Sequence, residues 1–383
     1  MSSRAALNSK PAGVDIPLNH PVALNHDIGE LKSQAAQGLV PMFNAEKGLF
    51  CNRLVRTEQG LVQEGLSPRY TIMTLLGLRE FEQAGADSPF DIRALYDAFV
   101  RDTRWIDGAG DLGLLIWLCA KFAPGQLEDL FRRTRVQTAL DRYQDARHAR
   151  TMELAWFLAG VAHAALVSPN AAPELEDLAV EAYQRMKGNQ GEYGFFRHMN
   201  TRKSVAGALR GRVGSFADQI YPIYAMSKFA SAFNVEEPLC SALDCARAIC
   251  GAQGELGQWW WLYDSRSGSV SSRYPVYSVH QHGMAPMGLL ALEDAVGQSF
   301  RPQIYKGLRW IYGSNELGAD MRDSTHNLVW RCIRPKSKQT KYWDTALSLI
   351  RPPKESPSVG PLEVLFETRP YELGWLLYAL AGL

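Results

Sequence analysis

The chain has 383 residues, of which 46% are hydrophobic and 21% charged, enough to bury a large core and unlike a fibrous or disordered protein. Its 41 basic and 40 acidic residues are intermingled and leave a net charge of +1, which excludes an electrostatic case for nucleic acid or an anionic membrane. No apolar run of roughly 18 residues occurs and the N-terminal stretch lacks an apolar signal core, so a cytoplasmic protein without a membrane span is expected.

Residues 1–25, rich in Pro, Asn and Ser, read as an irregular lead-in. A short helix is predicted from His26 to Gly38, and a first glycine and aromatic loop at Gly48-Leu49-Phe50. Ser67-Pro68 then starts the helix that carries Arg69 and Tyr70, and Gly85 stops it. An amphipathic helix through about Arg104 leads to the glycine-rich stretch Asp107–Gly113 and an apolar helix, LGLLIWLCAKF. The alternation persists: GQLEDLFRRTRVQTAL is amphipathic, ARTMELAWFLAGVAHAALV apolar, PELEDLAVEAYQRMKG amphipathic, and IYAMSKFASAF apolar. EEPLCSALDCARAIC precedes an apolar helix from about Val279 to Val296, and the segment from Arg301 to Tyr312 precedes the apolar C-terminal segment after Arg369. Residues 335–361, rich in Lys, Ser and Pro, read as a surface excursion.

Helices that are apolar all round belong inside and those with one polar face outside. Six such pairs predict an all-α fold, an (α/α)6 toroid of helical hairpins spanning residues 26–383 as one domain, with short extended pieces such as Ser269 to Val279 in its loops. The cysteines (Cys51, Cys119, Cys240, Cys245, Cys250 and Cys332) show no CxxC or zinc-finger spacing and are too sparse for a disulfide framework; no metal and no other cofactor is expected. The sequence leaves the oligomeric state open.

The chain repeats itself. Gln190-Gly191-Glu192-Tyr193-Gly194 recurs 63 residues later as Gln253-Gly254-Glu255-Leu256-Gly257, and Asn315-Glu316-Leu317-Gly318 follows. These loops admit a structural reading, in which Gly supplies turn geometry and Glu bonds the amides of a helix end. The pattern Gly254-Glu-Leu-Gly257-Gln-Trp259, followed by Tyr277-Ser-Val-His280-Gln-His282 and an apolar helix, resembles the repeat of protein prenyltransferase β subunits and squalene cyclases. The resemblance implies the same toroid, with a glycine-rich aromatic loop before each inner helix. The DxDD acid, the DDxxD magnesium site and the zinc-binding Asp, Cys and His of enzymes of this fold are not found in the chain.

In a toroid the N-termini of the inner helices converge on one mouth. The residues expected there are Arg69 and Tyr70; Asp111; Arg147 and His148; Asp218, Gln219 and Tyr221; His280, Gln281 and His282; and Arg369, Tyr371 and Glu372. Loops just upstream add Glu192, Glu255, Trp259, Trp260, Trp261, Asp264, Tyr274 and Tyr277. Flat aromatic faces, carboxylates, Tyr, His and Arg around one cavity suit a saccharide: glycosidases need two carboxylates, and lyases or epimerases on uronic acids need a Tyr or His base with an Arg partner. The expected partner is therefore an oligo- or polysaccharide. Trp259 to Trp261 would be the stacking platform, Tyr277 and His280 the acid and base, Asp264 or Glu255 the carboxylate, and Arg369 the anion partner; His282, Tyr274, Tyr371, Arg69, Tyr70, Asp218 and Tyr221 complete the site. Two alternatives stay open: an atypical terpenoid cyclase with an aromatic-lined cavity, and a non-catalytic scaffold toroid.

Overall fold

The computed structural model describes residues 21–143, 150–168, 172–199, 211–336 and 360–383. Helices come in pairs, the first outside and the second inside. They are α1 (Pro21–Gly38) and α2 (Pro68–Gln83); α3 (Ile92–Phe99) and α4 (Ala109–Phe122); α5 (Leu127–Thr134), with the short α6 (Ala139–Arg142), and α7 (Thr151–Val167). There follow α8 (Ala172–Lys187) and α9 (Ala217–Phe233); α10 (Glu237–Gly251) and α11 (Ala285–Val296), which continues a π turn at His280–Met284; and α12 (Arg301–Ile311) and α13 (Pro370–Leu380). The sorting follows sequence: α4 is buried from Ala109 to Ala120, whereas α5 buries only Leu127, Leu130 and Thr134.

The inner helices pack in chain order and the last closes on the first, giving the α/α toroid. Glycine permits the closest approaches. A Cβ on Gly77 of α2 would come within 2.0 Å of the Gly374 carbonyl of α13, and one on Gly160 of α7 within 2.1 Å of the Gly113 carbonyl of α4. Any larger residue would push these helices apart and open the ring.

The structure departs from expectation in several places. The first helix already includes Pro21, five residues ahead of the expected start. The amphipathic stretch after Gly125 is not one helix, because Arg135 adopts φ 50°, left-handed, and ends α5. Residues 1–20, most of the expected excursion, and Arg147 and His148 lie outside the described residues.

The extended segments are also more numerous than expected. Ahead of α2 lie β1 (Phe43–Asn44) and the hairpin of β2 (Leu49–Thr57) with β3 (Gly60–Leu66). β4 (Val213–Ser215), β5 (Leu262–Asp264) and β6 (Ser269–Ser272) form a second sheet. β7 (Val276–Tyr277) is followed by a ribbon of β8 (Arg322–Asp323) and β9 (Leu328–Val329), then β10 (Cys332–Pro335), β11 (Leu362–Leu365) and β12 (Glu367–Thr368). Two pairings shape the mouth: β10 runs antiparallel to β7 with Cys332 opposite Tyr277, and β12 pairs with β2 with Glu367 opposite Val55.

The recurring glycine loops are staples between outer helices. Gln190 Nε2 donates to the carbonyls of Gly194 (3.1 Å) and of Ser241 in α10 (2.9 Å). One repeat later, Gln253 Nε2 donates to Gly257 (3.1 Å) and to Gln303 in α12 (3.0 Å). Gly257, at φ 93°, lies so near α12 that a Cβ would sit 2.2 Å from the Lys306 carbonyl oxygen. The repetition in sequence is thus a repeated hydrogen-bond solution to stacking one hairpin on the next.

Candidate active site

Four inner helices carry an acidic residue in the first turn: Asp111 of α4, Glu153 of α7, Asp218 of α9 and Glu372 of α13, all nearly buried. Free backbone amides and the helix dipole favour a carboxylate there, and the acids use them. Asp111 accepts from the Asp107 amide at 3.2 Å, Asp218 from the Ser215 amide at 2.8 Å, and Glu372 from the Arg369 amide at 3.2 Å.

Three arginines bind Asp111, Glu153, Glu372 and the strand residue Glu367 into the wall of the mouth. Arg69 Nε donates to Asp111 at 2.7 Å, its Nη2 lies 3.5 Å from Glu153, and its guanidinium sits 5.1 Å from the centre of the Trp156 ring. Arg331 pairs with Glu372 and lies 3.5 Å from Glu367. Arg369 bonds Glu367 at 2.9 Å and the Tyr70 hydroxyl at 3.0 Å, and the Tyr70 and Tyr371 rings stand 4.6 Å apart. Tyr221 accepts from Trp375 Nε1 at 2.8 Å, deeper in the ring of helices.

An aromatic group faces this charged wall. Trp261 lies 5.0 Å from Tyr277 and stacks on His280 at 6.3 Å, while Tyr277 and His280 are 5.2 Å apart. The Arg331 guanidinium sits 4.9 Å over the Tyr277 ring, because the pairing of β10 with β7 sets Arg331 beside Ser278. Burial pushes the Tyr277 phenol up to about 12 although Arg331 opposes the shift. Burial also lowers His280 to about 3, so its ring is neutral at ordinary pH. With Nδ1 turned to the Trp259 carbonyl at 3.4 Å, the lone pair of that neutral ring is on Nε2.

Other expected residues stand apart. Glu255, like Glu192, is exposed in its outer-rim loop, because the Gln-Gly-Glu turn directs it to solvent. Asp264 is buried but engaged in local structure: it lies 3.2 Å from Arg212 and accepts from the Arg266 amide at 2.8 Å, capping the β5 to β6 turn. The extended backbone splits the three tryptophans. Trp259, fully buried, points at Gly307 of α12, and Trp260 packs edge-on against Tyr274. Tyr274 in turn donates to Glu316 at 3.1 Å, which also accepts from Trp310, so both belong to the rim. Gln219 clamps both backbone groups of Phe196. His282 is fully buried, lowered by burial to about 3, with neither ring nitrogen bonded among the described residues.

Four participants escaped the sequence reading: Glu153, Arg331, Glu367 and His198. His198 presents Nδ1 to Asp218 at 3.1 Å beside the first turn of α9. Glu153 alone had a visible signal, an acid in the first turn of an otherwise apolar helix. Among the described residues no cluster of three or more His, Cys, Asp or Glu has the arrangement of a metal site, and no helix is long and apolar enough to cross a membrane.

No family model matches the chain, and no curated protein matches it in sequence. Solved structures do match in fold. A possible member of the GH105 family from Klebsiella pneumoniae subsp. pneumoniae MGH 78578 is 13% identical, over 98% of this chain and 96% of that one, with a TM-score of 0.59. A sugar epimerase from a ruminal bacterium is 11% identical over 94% and 98%, with a TM-score of 0.62. An unsaturated glucuronyl hydrolase specific for heparin is 14% identical over 93% and 96%, with a TM-score of 0.57. At such identity the likeness is one of fold, and it places the chain among the α/α toroids. None of these three is described as a prenyltransferase or a squalene cyclase; the part of the sequence resemblance that they support is the α/α toroid.

Proposed function

We propose that the chain is a carbohydrate-active enzyme that works on an oligo- or polysaccharide at the mouth formed by the first turns of its inner helices. The observation that carries this reading is the meeting of Trp261, Tyr277 and His280 with Arg331 and Glu372 on one side of a mouth whose other side holds Arg69, Asp111 and Glu153. An aromatic face stacks on the apolar face of a pyranose, and paired Arg and carboxylate groups bond its hydroxyls. Trp261 is the platform. His280, neutral with a lone pair on Nε2, accepts a proton from the sugar or from water, and the Tyr277 phenol, protonated and beside Arg331, donates one. Asp111 and Glu153 take the carboxylate role in place of Glu255 and Asp264, and Arg369 and Arg331 meet a negatively charged group on the substrate. The fold is shared with proteins described as glycosidases and sugar epimerases, which supports the same reading. Glycosidic cleavage would draw on the Asp111 and Glu153 carboxylates, and lyase or epimerase chemistry on His280 and Tyr277 with an Arg partner.

The terpenoid alternative needs an apolar cavity whose π faces meet a carbocation. The wall of the mouth is instead lined by ion-paired guanidinium and carboxylate groups, a polar surface that suits hydroxyls and disfavours that alternative. Incubation of the purified protein with neutral and uronic oligosaccharides, followed by product analysis, tests the proposal. New reducing ends, unsaturated sugars or epimers that vanish in His280→Gln support it; full turnover in that variant sinks the assignment.

A further inference from the structure

The pole opposite the mouth holds a second polar cluster, to which five inner helices contribute side chains. Tyr224 of α9 links His163 of α7 to Tyr378 of α13: its hydroxyl lies 2.8 Å from His163 Nε2 and 2.6 Å from the Tyr378 hydroxyl. Lys121 of α4 pairs with Glu80 of α2 at 2.7 Å, and its ammonium stands 5.9 Å from the centre of the Tyr378 ring. Lys228 of α9 holds its ammonium 5.6 Å from the centre of the Tyr224 ring. The Lys121 and Glu80 side chains are 24% and 20% exposed, so the cluster reaches solvent. Trp117 and Trp375, both fully buried and stacked at 5.6 Å, stand between this cluster and the mouth.

Lysines near helix C-termini commonly offset the dipole, and that accounts for Lys121, next to last in α4. Lys228 is different. It lies more than a turn before the end of α9, its side chain folds back toward the N-terminus over Tyr224, and among the described residues no carboxylate comes within ion-pair distance of it. The charges that act on it are Asp294 first, then Lys121 and Glu80, the last already engaged by Lys121. Burial lowers its affinity for a proton, with Lys121 adding to the effect and Asp294 and Glu80 opposing it without forming an ion pair.

The aromatic chain ends on Tyr378, beside Lys121. Burial keeps His163 neutral, with Lys121 and Lys228 adding to the effect. In the tautomer that carries the proton on Nε2, His163 donates to Tyr224 and Tyr224 to Tyr378, and in that tautomer the Tyr378 hydroxyl proton is left for a ligand.

We propose that this basal cluster binds a small oxyanion, a carboxylate or phosphate group, between the ammonium groups of Lys228 and Lys121 with the Tyr378 hydroxyl as a third donor. The site is separate from the mouth and does not depend on what the mouth binds. Calorimetric titration of the full chain with inorganic phosphate, and separately with acetate, at constant ionic strength balanced by chloride, tests it. The expected result is saturable binding of one ion per chain, weakened roughly tenfold or more in Lys228→Met and retained in Lys228→Arg. Phosphate alone or both ions binding supports the site and tells its ligand class. Absence of saturable heat with either ion, or an affinity unchanged in Lys228→Met, overturns it. Should Lys228→Met fail to fold, Tyr378→Phe decides: a weaker complex supports the site and an unchanged one overturns it.

Discussion

The outer-rim loops and the mouth both draw on carboxylates and aromatic rings, yet they use them differently. In the rim, polar atoms are consumed by the next hairpin: Gln190 and Gln253 make the same two bonds one repeat apart, and Glu316 closes on Trp310 and Tyr274. At the mouth the first-turn acids recur on four inner helices, but their partners differ: Arg69 for Asp111 and Glu153, His198 for Asp218, and Arg331 for Glu372. Arginines and aromatic rings arrive there from different helices and strands, and it is among them that we place the proposed site. Repetition in this toroid marks the scaffold, and the residues we propose for the chemistry are those that depart from it.

The largest effect that sharpens the contrast is catalytic. His280→Gln and Tyr277→Phe should each lower kcat by about a hundred- to ten-thousandfold, while Glu255→Gln and Glu192→Gln leave it unchanged; a loss of turnover in Glu255→Gln would erase the distinction. The rim should respond in stability instead. Gly257→Ala puts a Cβ into the Lys306 carbonyl at a backbone φ of 93° and should cost about 2–4 kcal/mol in unfolding free energy, read by denaturant titration.

Acid should act on the core behind the mouth. His280 and His282 are held near 3 in the folded chain against 6.5 when unfolded, so the unfolded state binds more protons across that interval. Stability is complete above 6.5 and declines as the pH falls toward 3, each histidine contributing up to about 1.4 kcal/mol per pH unit. The melting temperature of His282→Leu, followed between pH 8 and pH 4, should fall less steeply than that of the wild type; equal slopes would mean that His282 titrates freely. The smallest change is Gln253→Ala, which removes two bonds to backbone carbonyls and should lower stability by about 1–2 kcal/mol without touching kcat.

Local signals carried much of the fold. Apolar and amphipathic stretches alternate as the helices do, and first-turn positions pointed to Arg69, Asp111, Asp218, His280 and Glu372 at the mouth. The hairpin of β2 and β3 was invisible because its facing pair Arg53 and Glu64 is an ion pair, so apolar alternation never appears. Arg331 and Glu367 were hidden for a topological reason: they reach the mouth only when β10 finds β7 and β12 finds β2, far away in sequence. Asp264 and Glu255 have the right chemistry in the wrong place, one satisfied by its own turn and the other facing solvent. The three tryptophans needed the backbone trace before Trp261 separated from its neighbours.

That separation offers the most direct test. Affinity for a saccharide that the wild-type protein binds should be measured in Trp261→Ala and Trp260→Ala side by side. A saccharide site at the mouth predicts that Trp261→Ala loses about 1–3 kcal/mol of binding free energy, comparable to other aromatic stacking contacts, while Trp260→Ala keeps the wild-type affinity. Equal affinities in both variants, or binding of prenyl diphosphates in place of saccharides, would contradict it.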